Sequence, residues 1–193
     1  MSLADIGLLH GAVLLLFTLG WIPVFVLRSE RFHERRAAAS PDERRAMWNA
    51  AAAVTAHVTL AEIALTFPDV APPPLRVLIG AAIFAVGLAF WALARHSLVA
   101  YGRVLDPTTA PAALVTTGPF AVVRHPLSLG MVILALGPAV AAASGLVWTS
   151  FLTAVVALGR RCHQDEVELN AAFGDDYARY AATTPARLIP FLW

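Results

Sequence analysis

Apolar residues in this chain come in long runs separated by short polar breaks, and most of the runs have the length of a membrane crossing. Stretches with few or no charges cover residues 6–27, 46–67, 75–93, 127–147 and 148–159. A bilayer crossing needs about twenty residues at 1.5 Å of rise each. The first four runs meet that length and the fifth is short. The fifth shares its turn with the fourth, which predicts a tight helical hairpin around Pro138 to Gly145, where small residues allow close helix packing. Open strands in lipid would leave their backbone groups unsatisfied, and no run alternates as barrel strands do. The pattern therefore predicts an all-α, polytopic membrane protein with five transmembrane helices. Beyond residue 160 the pattern becomes amphipathic. Glu166, Leu169, Phe173, Tyr177 and Tyr180 recur at three- and four-residue steps, which places them on one face of a C-terminal helix. Gly174 is expected to bend or split that helix.

Composition agrees with lipid as the solvent. The 193 residues are 59% hydrophobic and 14% charged, against about one quarter charged in a soluble domain. Mean hydropathy is +0.69. One membrane-embedded domain is expected over 1–193, with three helices in 1–97 and a connector, two spans and the C-terminal helix in 98–193. The N-terminus lacks the basic first region of a cleavable signal, and its apolar run is long enough to span.

The 14 basic residues are all Arg, and their placement sets an orientation. With five crossings and the N-terminus outside, every Arg except Arg76 falls on one face. The positive-inside rule makes that face cytoplasmic, here at the inner (plasma) membrane. The Arg clusters sit between apolar runs, so no nucleic-acid stripe exists. The lone Cys162 allows no internal disulfide and reads as a small apolar filler.

Chemistry concentrates in Gly118-Pro119-Phe120-Ala121-Val122-Val123-Arg124-His125-Pro126, at the mouth of the fourth run. Gly-Pro permits a sharp turn with exposed backbone groups. Pro126 suits the first turn of a helix, where its missing N–H costs nothing. Arg124 and His125 then sit beside the positive end of that helix's dipole, a place that favours an anion. The plainer alternative is a membrane-edge anchor, with Arg124 snorkelling to headgroups. Glu166 has a plain reading too, as an acid near the positive end of an amphipathic helix. Tyr177 and Tyr180 have one as interface anchors. The His residues show no metal-ligand spacing, so no metal is expected. Inside the apolar runs, His10 and Glu62 lie at similar depth and are expected to meet. His57 is expected to bond Thr55, Thr59 or a neighbouring helix.

The stretch Leu114-Val115-Thr116-Thr117-Gly118-Pro119-Phe120 with Arg124-His125-Pro126 resembles the signature of the isoprenylcysteine carboxyl methyltransferase and phospholipid methyltransferase families of integral membrane enzymes. The order that follows also resembles it: Asp165-Glu166, Leu169, Phe173-Gly174, Tyr177, Tyr180 and Arg187-Leu188-Ile189-Pro190. The resemblance implies S-adenosylmethionine as cofactor and a lipophilic or membrane-associated acceptor, most simply an isoprenylcysteine-type carboxylate or a thiol. It implies cofactor contacts from Val115, Thr116, Gly118, Pro119, Phe120, His125, Pro126, Ser128, Leu129 and Glu166. Catalytic roles fall to Arg124, His125 and Glu166, with His125 or Glu166 as base should the acceptor be an amine. Tyr177 and Arg187 would face the substrate. Two positions depart from the family pattern: Ser128 stands where a Tyr is common, and Asp165 where the first of two Glu is common. The alternatives are an NADPH-dependent membrane reductase of the sterol type, whose C-terminal pattern is comparable, and a non-catalytic membrane subunit.

Overall fold

The computed structural model describes residues 8–24, 41–68, 72–102 and 114–188. Their regular structure is helical throughout: α1 (Leu8–Val24), α2 (Pro41–Thr66), α3 (Pro74–Gly102), a short 3₁₀ turn (Gly118–Ala121), α4 (Pro126–Ala142), α5 (Gly145–Phe173) and α6 (Asp175–Thr183). The Arg28–Arg36 cluster, Arg103, Asp69 in the link between the second and third runs, and Ile189-Pro190 lie outside the described residues.

Proline starts three of these helices, at Pro41, Pro74 and Pro126, because its fixed φ and missing N–H suit the first helical position. α4 ends where Ala143 turns left-handed at φ 49°, and extended Ser144 leads directly into α5. The expected hairpin is there, but the fifth element is not a short span followed by a separate amphipathic helix. α5 runs unbroken for 29 residues, since nothing between Gly159 and Arg160 interrupts the helical backbone. The break comes at Gly174 (φ 51°), as expected, and leaves α6 with 9 residues.

The closest helix packing is between α3 and α4, not within the α4–α5 hairpin. A Cβ added at Gly80 would lie 2.6 Å from the Gly137 carbonyl oxygen, and one at Gly87 would lie 2.5 Å from the Leu134 nitrogen. Those distances allow hydrogen only, so the two antiparallel backbones touch along their length. Phe84 of α3 fills the remaining space against α1, with its ring centroid 4.9 Å from that of Phe17 and 6.2 Å from that of Trp21.

Several polar groups inside this bundle join neighbouring helices. His57 is fully buried and bridges α2 to both members of the hairpin, through Ser150 Oγ (2.9 Å) and the Ala135 carbonyl (2.9 Å). The expected bond to a neighbouring helix is thus realised twice. Glu62, expected to meet His10, accepts a hydrogen bond from Thr18 of α1 at 3.0 Å. Arg76, the Arg that breaks the orientation pattern, donates to the Ala141 carbonyl at 3.2 Å. It thereby caps the negative end of α4.

Large apolar side chains are exposed on α1, α2, α3 and α5, including Leu15, Ile63, Val86 and Leu152. Such coverage is expected for a surface solvated by hydrocarbon. Among the described residues, α3 is the helix long and apolar enough to cross a membrane, over Pro74–Leu98 with mean hydropathy 2.4. α1 and α4 are apolar but shorter. α2 is diluted by Thr, His and Glu, and α5 carries charges along its second half.

Candidate active site

The head of α4 is built by backbone contacts distant in sequence. Gly118 adopts φ 62°, a conformation that favours glycine, and opens the 3₁₀ turn. The Val122 and Val123 amides both close on the Pro119 carbonyl at 3.2 Å. The chain then extends and pairs with the segment after α6. Arg124 N–H donates to the Ala186 carbonyl (2.9 Å) and His125 N–H to the Arg187 carbonyl (3.0 Å). His125 occupies the N-cap of α4 without capping it, so its ring is free to turn toward α5.

There it meets Glu166, the hub of the site. Glu166 Oε1 lies 3.1 Å from Arg124 Nε and 3.5 Å from His125 Nε2, and Oε2 lies 2.8 Å from Arg187 Nε. The Oε1 contacts are ion pairs whose angles fall short of hydrogen bonds. Three cationic side chains therefore share one buried carboxylate. One turn earlier on α5, Arg161 holds Asp165 at 2.7 Å.

The charges have consequences for protonation. Burial alone would push His125 down. Contact with the Cys162 thiol and the Glu166 carboxylate, helped by the nearby Asp165 charge, lifts its pKa to about 9. Burial likewise works to raise Glu166, but His125, Arg124 and Arg187 hold it below the usual carboxylate value. Tyr177, buried beside Glu166, is pushed up to about 12, first by burial and then by that carboxylate's charge. At neutral pH His125 is an imidazolium and Glu166 is ionised, and neither is a ready proton acceptor.

Beside this cluster lies a cavity of about 340 Å³. Of the residues expected from the sequence, Val115, Phe120, Arg124, His125 and Ser128 line it. Pro119 and Pro126 are buried in the turn and in the first turn of α4, whereas Thr116 and Gly118 are exposed. Leu129 packs against the core. Glu166 and Tyr177 are buried behind the wall, and Arg187 sits on Glu166 from the outside. The far wall belongs to α5 and α6: Asp165, Glu168, Leu169, Ala172, Phe173 and Tyr180. Glu168, Ala172 and Tyr180 were not among the expected site residues. Glu168 and Ala172 follow Asp165 by three and seven residues along α5, and that helical spacing is the signal that could have found these two.

The phospholipid methyltransferase family model matches residues 75–174. The chain belongs to that family. Its members are integral membrane methyltransferases and include the isoprenylcysteine carboxyl methyltransferases. No curated protein matches the chain. The region shared with the phospholipid methyltransferase family starts at the head of α3 and stops at Gly174, so it contains the 3₁₀ turn, Arg124, His125 and Glu166. The contacts from Tyr180 and Arg187 close this site from beyond the matched region.

Proposed function

We propose that this protein is a membrane enzyme that transfers a methyl group from S-adenosylmethionine to a lipophilic acceptor ionised at its nucleophilic atom. The observation that carries the reading is a cavity of mixed charge at the head of α4, inside the family-matched region. Its volume of about 340 Å³ falls within the range of small-molecule sites. Its walls suit a molecule that is part amino acid and part nucleoside. Arg124 and His125 are cationic and would hold a carboxylate. Asp165 and Glu168 are anionic and suit an ammonium or sulfonium. Val115 and Phe120 offer apolar surface and backbone groups for the adenosine.

S-adenosylmethionine, when bound, supplies a methyl group on a positively charged sulfur, open to in-line displacement. The protein's part is alignment and dryness. Leu127, Leu169 and Phe173 give the cavity apolar walls, which would help to keep water from the reacting atoms once ligands fill it. Glu166 holds Arg124 and His125 in place from behind rather than reaching into the cavity. Because His125 is charged and Glu166 is ion-paired, neither accepts the acceptor's proton. A carboxylate or thiolate acceptor, already ionised, therefore fits better than an amine.

The reading includes five crossings within one domain, the N-terminus outside, and the site at the cytoplasmic face of the inner (plasma) membrane. The exposed apolar faces of the long helices support it, as does the gathering of Arg124, Arg161 and Arg187 at the cavity end. An acceptor dissolved in lipid would enter laterally between helices while the cofactor arrives from the aqueous side.

Calorimetry on the detergent-purified protein tests the reading, with S-adenosylmethionine, its demethylated product and NADPH as ligands and Glu166→Gln as the variant. The expected result is binding of the first two, weakened at least a hundredfold in the variant, because three cations would then face one another without a counter-charge. Selective NADPH binding would make this a reductase. Binding of none of the three would point to a non-catalytic subunit.

A further inference from the structure

The Phe120 carbonyl cannot be satisfied by its own turn. Two backbone amides are within reach of it along the chain, those of Val123 and Arg124. The first is bonded to the Pro119 carbonyl and the second to the Ala186 carbonyl. The partner that Phe120 does find lies 60 residues away: Tyr180 Oη donates to its oxygen at 2.7 Å. Tyr180 is only 6% exposed, and it lines the same cavity as Phe120. It packs edge-on against Tyr177 at 6.1 Å, which keeps the phenol directed at the turn.

We infer that Tyr180 is a positioning residue for the cofactor wall: its hydroxyl fixes the Gly118–Ala121 turn, and with it the surface formed by Val115 and Phe120. The inference rests on the reading of the cavity as a cofactor site. It assigns α6 a specific task, to hold from outside a turn that the family-matched region leaves with an unpaired carbonyl. A carbonyl that loses its one partner among the described residues is costly wherever water cannot replace it. The turn without Tyr180 would therefore drift from the geometry the ligand needs.

The test uses Tyr180→Phe, which keeps the ring in the wall and removes only the donor. Two measurements are made on the full chain in detergent: hydrogen exchange at residues 118–124, and binding of S-adenosylmethionine and its demethylated product. The expected result is faster exchange confined to 118–124, with both ligands weakened equally by about five- to tenfold. In turnover the KM for the cofactor should rise while the KM for the acceptor holds. Unchanged exchange in the turn would overturn the inference. So would exchange that quickens throughout α3 and α4, since that marks a general loss of stability rather than a local hold. A wild-type protein that binds neither ligand would instead sink the cofactor reading, a failure visible before any variant is compared.

Discussion

Along α4, the length that faces α3 is dry and held by backbone contact, whereas the head is charged and held by three cations converging on Glu166. The first is rigid because it lacks side chains: Gly80, Gly87 and Gly137 leave no atom that could rearrange. The second is held because Arg124, His125 and Arg187 converge on one carboxylate. A single helix thus carries a seam that tolerates no added volume and a head that tolerates no lost charge. Fixing the helix by its seam lets the head present Arg124 and His125 at a defined place.

The largest effect should come from breaking the seam. Gly87→Ala would put a methyl 2.5 Å from the Leu134 nitrogen, so α3 and α4 must part. A loss of about 1–3 kcal/mol is expected, read as a clear drop in melting temperature. Gly145→Ala, where nothing lies within 4 Å, is the control and should be nearly neutral.

Next comes pH, which acts on the head through His125 and Glu166. His125 rises from 6.5 to about 9 on folding. Its charge therefore stabilises the fold fully below pH 6.5, and that stabilisation is lost as pH climbs through about 9. Glu166 shifts the other way, from 4.5 downward, so its contribution holds above its ordinary value and fades in acid. The melting temperature should fall on the alkaline side between these limits, and His125→Gln should flatten that fall. An unchanged alkaline slope in the variant would remove His125 as its source.

The smallest effect belongs to the other end of α4. Arg76→Ala removes a cation from the Ala141 carbonyl and should cost about 0.3–1 kcal/mol. Binding of S-adenosylmethionine should not change. A shift in binding here would mean that the seam transmits to the head, and would undo the contrast drawn above.

What the sequence made legible follows the same division. Hydrophobic runs, Pro126 and Gly174 announce helix positions and breaks by local chemistry, and those expectations match α4 and the α5–α6 break. The extent of α5 was obscured because its polarity changes at Arg160 while its backbone does not. Charge spacing brought Arg124, His125 and Glu166 to attention, and the structure brings them together. It did not reveal that Asp165 and Glu168 line the cavity while Glu166 is buried against Arg124 and His125. Nor could it reveal the pairing of 124–125 with 186–187. Main-chain hydrogen bonds use groups that every residue has, so no side-chain pattern marks them.

That pairing also sets an order of events. The loop it closes is long, and closing about sixty residues costs roughly 3–4 kcal/mol of chain entropy. Long-range contacts of this kind form late, after the local helices and the seam have reduced the search. Until the segment at Ala186 and Arg187 arrives, the Arg124 and His125 amides have no partners and Glu166 lacks one of its three cations. The bundle can therefore pack before the head of α4 is complete, and the head takes its final form when that segment docks.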